Sequence, residues 1–174
     1  MRKGSAWQSF CRAWRKSAVW CDRKAKTGVR RIFVDANILI AGADSQSGAS
    51  NALLRIAEVG LFQLVVCTQV LDEAERNLRR KLPRALPNFA MQMARLRLEI
   101  LPDPVPEDVR PWEQIIEAKD APILCAAVAS GVDRFVTLNT RDFTPNVAEQ
   151  SGLVIQTPAE FMEDLRQLVT ENLA

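Results

Sequence analysis

Apolar positions along the chain fall into short continuous runs separated by longer stretches of helical spacing. Ile32-Phe33-Val34 is a short apolar run that stops at Asp35 and reads as a strand. Ser47 to Asn51 is small and polar, and it leads into Ala52, Leu53, Ile56 and Ala57, a helix that Gly60 closes. Phe62 to Cys67 predicts a second strand, followed by a helix from Gln69 to Lys81, and Leu86 to Leu98 predicts another helix. The stretch Leu101-Pro-Asp-Pro-Val-Pro106 is too rigid and polar for an element interior and reads as a connection. Asp120-Ala-Pro122 opens a helix carrying Leu124, Ala127 and Val128, closed by Gly131. Phe135 to Leu138 predicts a third strand, Leu153 to Gln156 a fourth, and Pro158 to Leu168 a final helix. Strands alternating with helices predict βαβ units, hence an α/β fold whose mostly parallel sheet is covered on both faces.

Composition narrows the chemistry more than it narrows the fold. At 174 residues the chain suits one compact domain. It contains no run of about 18 apolar residues, so no membrane span is expected. There is no histidine and no tyrosine. Ser–His–Asp hydrolases, Cys–His proteases, His-ligated zinc enzymes and paired-histidine ribonucleases are thereby excluded. Acid–base or metal chemistry must come from carboxylates. The four cysteines, Cys11, Cys21, Cys67 and Cys125, form no Cys-x-x-Cys pair. They suggest neither a disulfide framework nor a zinc site, and a cytoplasmic setting is expected.

The overall charge of +2 conceals a division. Residues 1–28 hold eight basic residues against the single acid Asp22, a net +7, whereas residues 29–174 hold 15 bases and 20 acids, a net −5. Trp7, Phe10, Cys11, Trp14, Ala18 and Cys21 recur at helical spacing within the basic head. The expected organisation is a basic extension over 1–28 and a folded domain over 29–174. The extension is read as non-essential or as the product of a start called too early, since Val29-Arg-Arg-Ile-Phe-Val-Asp is a natural domain start. A functional arm that touches RNA, an anionic membrane or an acidic partner is the alternative.

In a parallel sheet the ligand site lies outside the carboxyl ends of the strands. Acids collect at those places: Asp35 ends the first strand, Glu73 follows the second, Asp120 opens the helix before the third, and Asp142 follows the third. Each also has a plainer reading. Asp120 ahead of Pro122 is a natural helix cap, Glu73 a solvated helix residue, and Asp142 a turn acid. Asp35 resists dismissal, because it interrupts the apolar run Val-Asp-Ala-Asn-Ile-Leu-Ile. Four converging carboxylates repel one another, and Mg²⁺ or Mn²⁺, hard ions that prefer oxygen, is the usual resolution.

The ordered segments Arg-Ile-Phe-Val-Asp35-Ala-Asn37-Ile-Leu-Ile, Val-Leu-Asp-Glu73, Lys-Asp120-Ala-Pro-Ile-Leu-Cys-Ala-Ala and Phe-Val-Thr137-Leu-Asn139-Thr-Arg-Asp142-Phe resemble the motifs of PIN (PilT N-terminus) domains. The match is closest to the branch of toxins from toxin–antitoxin pairs and spans about residues 30–165. The resemblance implies a three-layer α/β/α sandwich, Mg²⁺ or Mn²⁺ held by Asp35, Glu73, Asp120 and Asp142, and hydrolysis of RNA. Asn37, Thr137 and Asn139 are implied supports of that shell. A cognate antitoxin is the implied partner, and a homodimer is a further expectation. On a helical wheel Glu75 lies nearer the apolar Leu71/Ala74/Leu78 face, but the motif alignment selects Glu73.

The chain also departs from the family pattern. Ala36 stands where many members carry Thr or Ser, Asn139 where many carry Asp, and Cys67 where Ser is frequent. The departures at 36 and 139 keep a catalytically quiet binding module open as an alternative. An RNA-processing nuclease outside any toxin pair is another. No G-x-G-x-x-G or Gly-Lys-Thr/Ser loop is present to support nucleotide binding.

Overall fold

The computed structural model describes residues 30–173. The expectation about residues 1–28 lies outside the described residues. Five strands form one sheet: β1 (Arg31–Val34), β2 (Gln63–Cys67), β3 (Leu98–Leu101), β4 (Arg134–Val136) and β5 (Ile155–Gln156). Their order is β3-β2-β1-β4-β5, and every pairing is parallel. All four residues of β1 are buried. Because successive strand side chains point to opposite faces, helices must cover both sides, and the fold is an α/β sandwich.

The connecting helices are α1 (Ala36–Asp44), α2 (Ala49–Glu58), α3 (Thr68–Lys81), α4 (Leu86–Arg95), α5 (Pro106–Val109), α6 (Ala121–Ser130), α7 (Pro145–Ser151) and α8 (Pro158–Leu173). α6 buries eight of its ten residues, which explains its nearly uniform apolar composition. Gly131 ends α6 in the left-handed conformation, φ 62°, where a side chain would be strained. The carbonyls at the end of α1 are capped from neighbouring helices. Asn51 Nδ2 and Gln92 Nε2 both donate to the Gly42 carbonyl at 2.9 Å, and Asn88 Nδ2 donates to that of Ala43. These amides, of which Asn51 and Gln92 are buried, are therefore structural.

Several boundaries moved. The helix expected over Leu86–Leu98 stops at Arg95, and Leu98–Leu101 is the edge strand β3. Alternation there is weak because only Leu101 is fully buried. The Asp35-Ala-Asn-Ile-Leu-Ile run is a strand end followed at once by α1, and α7 was not expected at all. The third strand ends at Val136, not Leu138, because Thr137 turns to the site.

Arg31 locks the far end of the sheet. Its guanidinium meets Glu99 of β3 in a two-pronged bond, Nε–Oε2 3.0 Å and Nη2–Oε1 2.7 Å, and also donates to the Ser130 carbonyl. Both partners are largely buried, so the pair ties the edge strand to the sheet centre.

Candidate metal centre

The chain leaves β1 toward β2 on one side and returns to β4 on the other. β1 and β4 are thus neighbours whose connections diverge, the switch point at which such sheets open a crevice. Asp35 and Thr137 are the first residues past those two strands. The Asp35 N–H donates to the Val136 carbonyl, extending the pairing by one step.

Asp35 is buried, and its carboxylate accepts three hydrogen bonds. Oδ1 accepts the Ala36 N–H at 2.7 Å, which caps α1, and Oδ2 accepts Thr137 Oγ1 at 2.7 Å and Asn37 Nδ2 at 2.6 Å. Burial pushes its carboxyl above the ordinary range, the bonds from Thr137 and Ala36 oppose that, and the charge of Glu73 adds to it. Asn37 also accepts the Leu138 N–H, and Thr137 Oγ1 accepts the Asn139 N–H. Asn139 in turn donates to Asp142 Oδ2 at 2.9 Å. One network therefore runs from Asp35 to Asp142. At position 139 an amide holds Asp142, where a second acid would repel it.

Asp120 precedes α6, but its side chain makes no capping bond, so the plainer reading as a helix cap is removed. Its Oδ2 is buried without a hydrogen-bond partner. Burial pushes the carboxyl up to about 6; the Lys119 ammonium works against this, and the charges of Asp142 and Asp35 reinforce it. Asp142 is held below the usual carboxylate range by hydrogen bonds from Asn139 and Lys119. Glu73 is half-buried on α3 and close enough to act on Asp35. Glu75 is exposed and paired with Arg79, Nε–Oε1 3.1 Å, on the outer face.

The tightest grouping differs from the expected quartet. Oxygens of Asp120, Asp142 and Glu117 lie within 4.8 Å of one another, whereas Asp35 and Glu73 stand outside that triad. Glu117 was missed from the sequence, as was Lys119, whose Nζ sits 3.2 Å from Glu117, 3.2 Å from Asp142 and 3.7 Å from Asp120. The signal available was Glu-x-Lys-Asp, three charges in one turn directly before an apolar helix. Cys67 and Cys125 are buried free thiols, each pushed up to about 12 chiefly by burial, and take no part.

Fold and site together define a parallel α/β protein that gathers acids at its topological switch point. The chain belongs to the PIN domain family, which it matches over residues 31–141. No curated protein matches it. Among solved structures it is similar to PAE2754 from Pyrobaculum aerophilum, with TM-score 0.57, 17% identity, and 82% of this chain and 94% of that one covered. It is also similar to VapBC2 from Rickettsia felis, solved bound to a DNA fragment from their promoter, with TM-score 0.53, 19% identity, and 73% and 98% covered. The likeness to both is one of fold.

Proposed function

We propose that the protein is a metal-dependent endoribonuclease that hydrolyses RNA phosphodiester bonds, and that it is the toxin of a toxin–antitoxin pair. Membership of a family whose members are generally nucleases supports the first part. The observation that carries it is Asp120 Oδ2, a buried carboxylate oxygen without a hydrogen-bond partner beside two further acids. An all-oxygen donor set suits Mg²⁺ or Mn²⁺. Asp35, Glu73, Asp120 and Asp142 would hold the ion. Bound there, a divalent ion supplies Lewis acidity that offsets charge building on the phosphate and makes water a stronger acid.

The chain's own residues do the positioning. Thr137 and Asn37 fix the Asp35 carboxylate, and Asn139 fixes Asp142, so neither acid rotates as RNA arrives. One of the four acids would orient the attacking water. Arg79 and Arg84 are engaged by Glu75 and Asp44, which leaves Arg80 and Lys81 as the exposed cations at the end of α3 to meet phosphates. Among the described residues no helix is long and apolar enough to cross a membrane.

Cleavage of a mixed RNA pool with Mg²⁺ and with EDTA tests the activity. Equal cleavage under both conditions sinks the metal mechanism, and no cleavage of any RNA favours a binding module. The toxin role draws on the motif resemblance, with the VapBC2 fold in its support. Induced expression should arrest growth in the cytoplasm of a host cell, and Asp35→Asn should relieve it. An antitoxin would act by covering the acidic crevice.

A further inference from the structure

The acidic triad already holds a cation of its own. Lys119 Nζ lies among Glu117 Oε2, Asp120 Oδ2 and Asp142 Oδ2, and those three acids gather within 4.8 Å. The ammonium hydrogen-bonds Asp142, but at 3.7 Å it only attracts Asp120 Oδ2, and that buried oxygen is left without a hydrogen bond. Lys119 thus supplies charge to the cluster while leaving one acceptor unmet. Three carboxylate oxygens that lie within 4.8 Å of one another can converge on one small divalent ion after modest side-chain movement. An ammonium and a divalent ion cannot share such a space. The Lys119 side chain is 63% exposed and that of Glu117 60%, so both can move at little packing cost.

We propose that Lys119 is a tethered counter-ion: it holds the triad together in the metal-free protein and yields its place when a divalent ion binds, with Glu117 adding a carboxylate to the ion's ligands. The inference rests on the metal reading of the site given above. Its consequence is a reduced apparent affinity, because the ion binds only the fraction of molecules whose lysine has left. A lysine in place nine-tenths of the time weakens binding about tenfold.

Mn²⁺ alone is the probe, titrated calorimetrically into wild type, Lys119→Met and Lys119→Arg. Thermal melts are run in EDTA and in saturating Mn²⁺, and amine labelling of wild-type Lys119 is read by peptide mass spectrometry. Lys119→Met should bind Mn²⁺ about tenfold more tightly than wild type. It should melt lower than wild type in EDTA, and the gap should close or reverse in Mn²⁺. Lys119→Arg should track wild type, and labelling of Lys119 should rise when Mn²⁺ is added. The proposal is overturned if Lys119→Met binds no tighter, if its melting deficit is the same with and without Mn²⁺, or if labelling does not respond. In each of those cases wild-type binding leaves the metal reading standing. Absence of Mn²⁺ binding in all three proteins overturns both.

Discussion

Thr137 Oγ1 donates to Asp35 Oδ2 at 2.7 Å across 102 positions of sequence. The same hydroxyl accepts from Asn37 and from the Asn139 backbone, so it joins the ends of β1 and β4 and the loop that carries Asp142. Thr137 is 1% exposed, and no water can replace what it supplies.

Thr137→Val keeps the shape and removes the hydroxyl. It leaves the Asp35 carboxylate and the Asn139 N–H short of a buried partner, and a loss of about 1–3 kcal/mol is expected. Thr137→Ser should retain most of it. Urea unfolding of the three proteins checks this, and equal midpoints for Val and wild type would refute the network's role.

Asp120 makes the metal-free protein pH-sensitive in a definite direction. Its carboxyl sits at about 6 in the folded state against an ordinary 3.8, so the folded state binds more protons between those values. Stability from this group therefore falls as pH rises from about 4 to about 6 and stays low above that. Asp120→Asn removes the buried charge without removing a cap, and should raise metal-free stability near pH 7 by on the order of 1 kcal/mol. The difference between variant and wild type should vanish near pH 4. Added Mg²⁺ should raise the wild-type melting temperature and move the variant much less. Melts of both proteins across pH 4–8, with Mg²⁺ and with EDTA, check both signs.

What was legible in the sequence, and what was not, follows from how local each signal is. The buried strands β1 and β2 announced themselves as apolar runs because both faces are covered. β3 did not, since its Glu99 is fixed by Arg31, a partner 68 positions away that no local pattern reveals. Asp35 was conspicuous as a charge inside an apolar run. The helical wheel favours Glu75 and the motif alignment Glu73; in the fold Glu75 turns outward to Arg79. Glu117 and Lys119 looked like ordinary loop charges. Only the approach of Asp142 from beyond β4 makes them part of the site.

Breaking the Arg31–Glu99 pair should be costly in one way and cheap in another. Glu99→Ala strands a buried guanidinium, for which a loss of about 3 kcal/mol is expected. Replacing both partners, Arg31→Met with Glu99→Leu, should recover most of that loss, because no charge is left uncompensated. Unfolding midpoints that rank the double variant below the single would contradict this account of β3.

The most direct measurement is the Mg²⁺-dependent cleavage rate of one RNA by wild type and by Asp35→Asn, Asp120→Asn and Asp142→Asn, each shown to be folded by near-ultraviolet circular dichroism. An ion held by these acids lowers the barrier by several kcal/mol, so each substitution should lower the rate by on the order of a hundredfold or more. Three folded variants that cleave as fast as wild type would contradict the claim that the acids form a working centre.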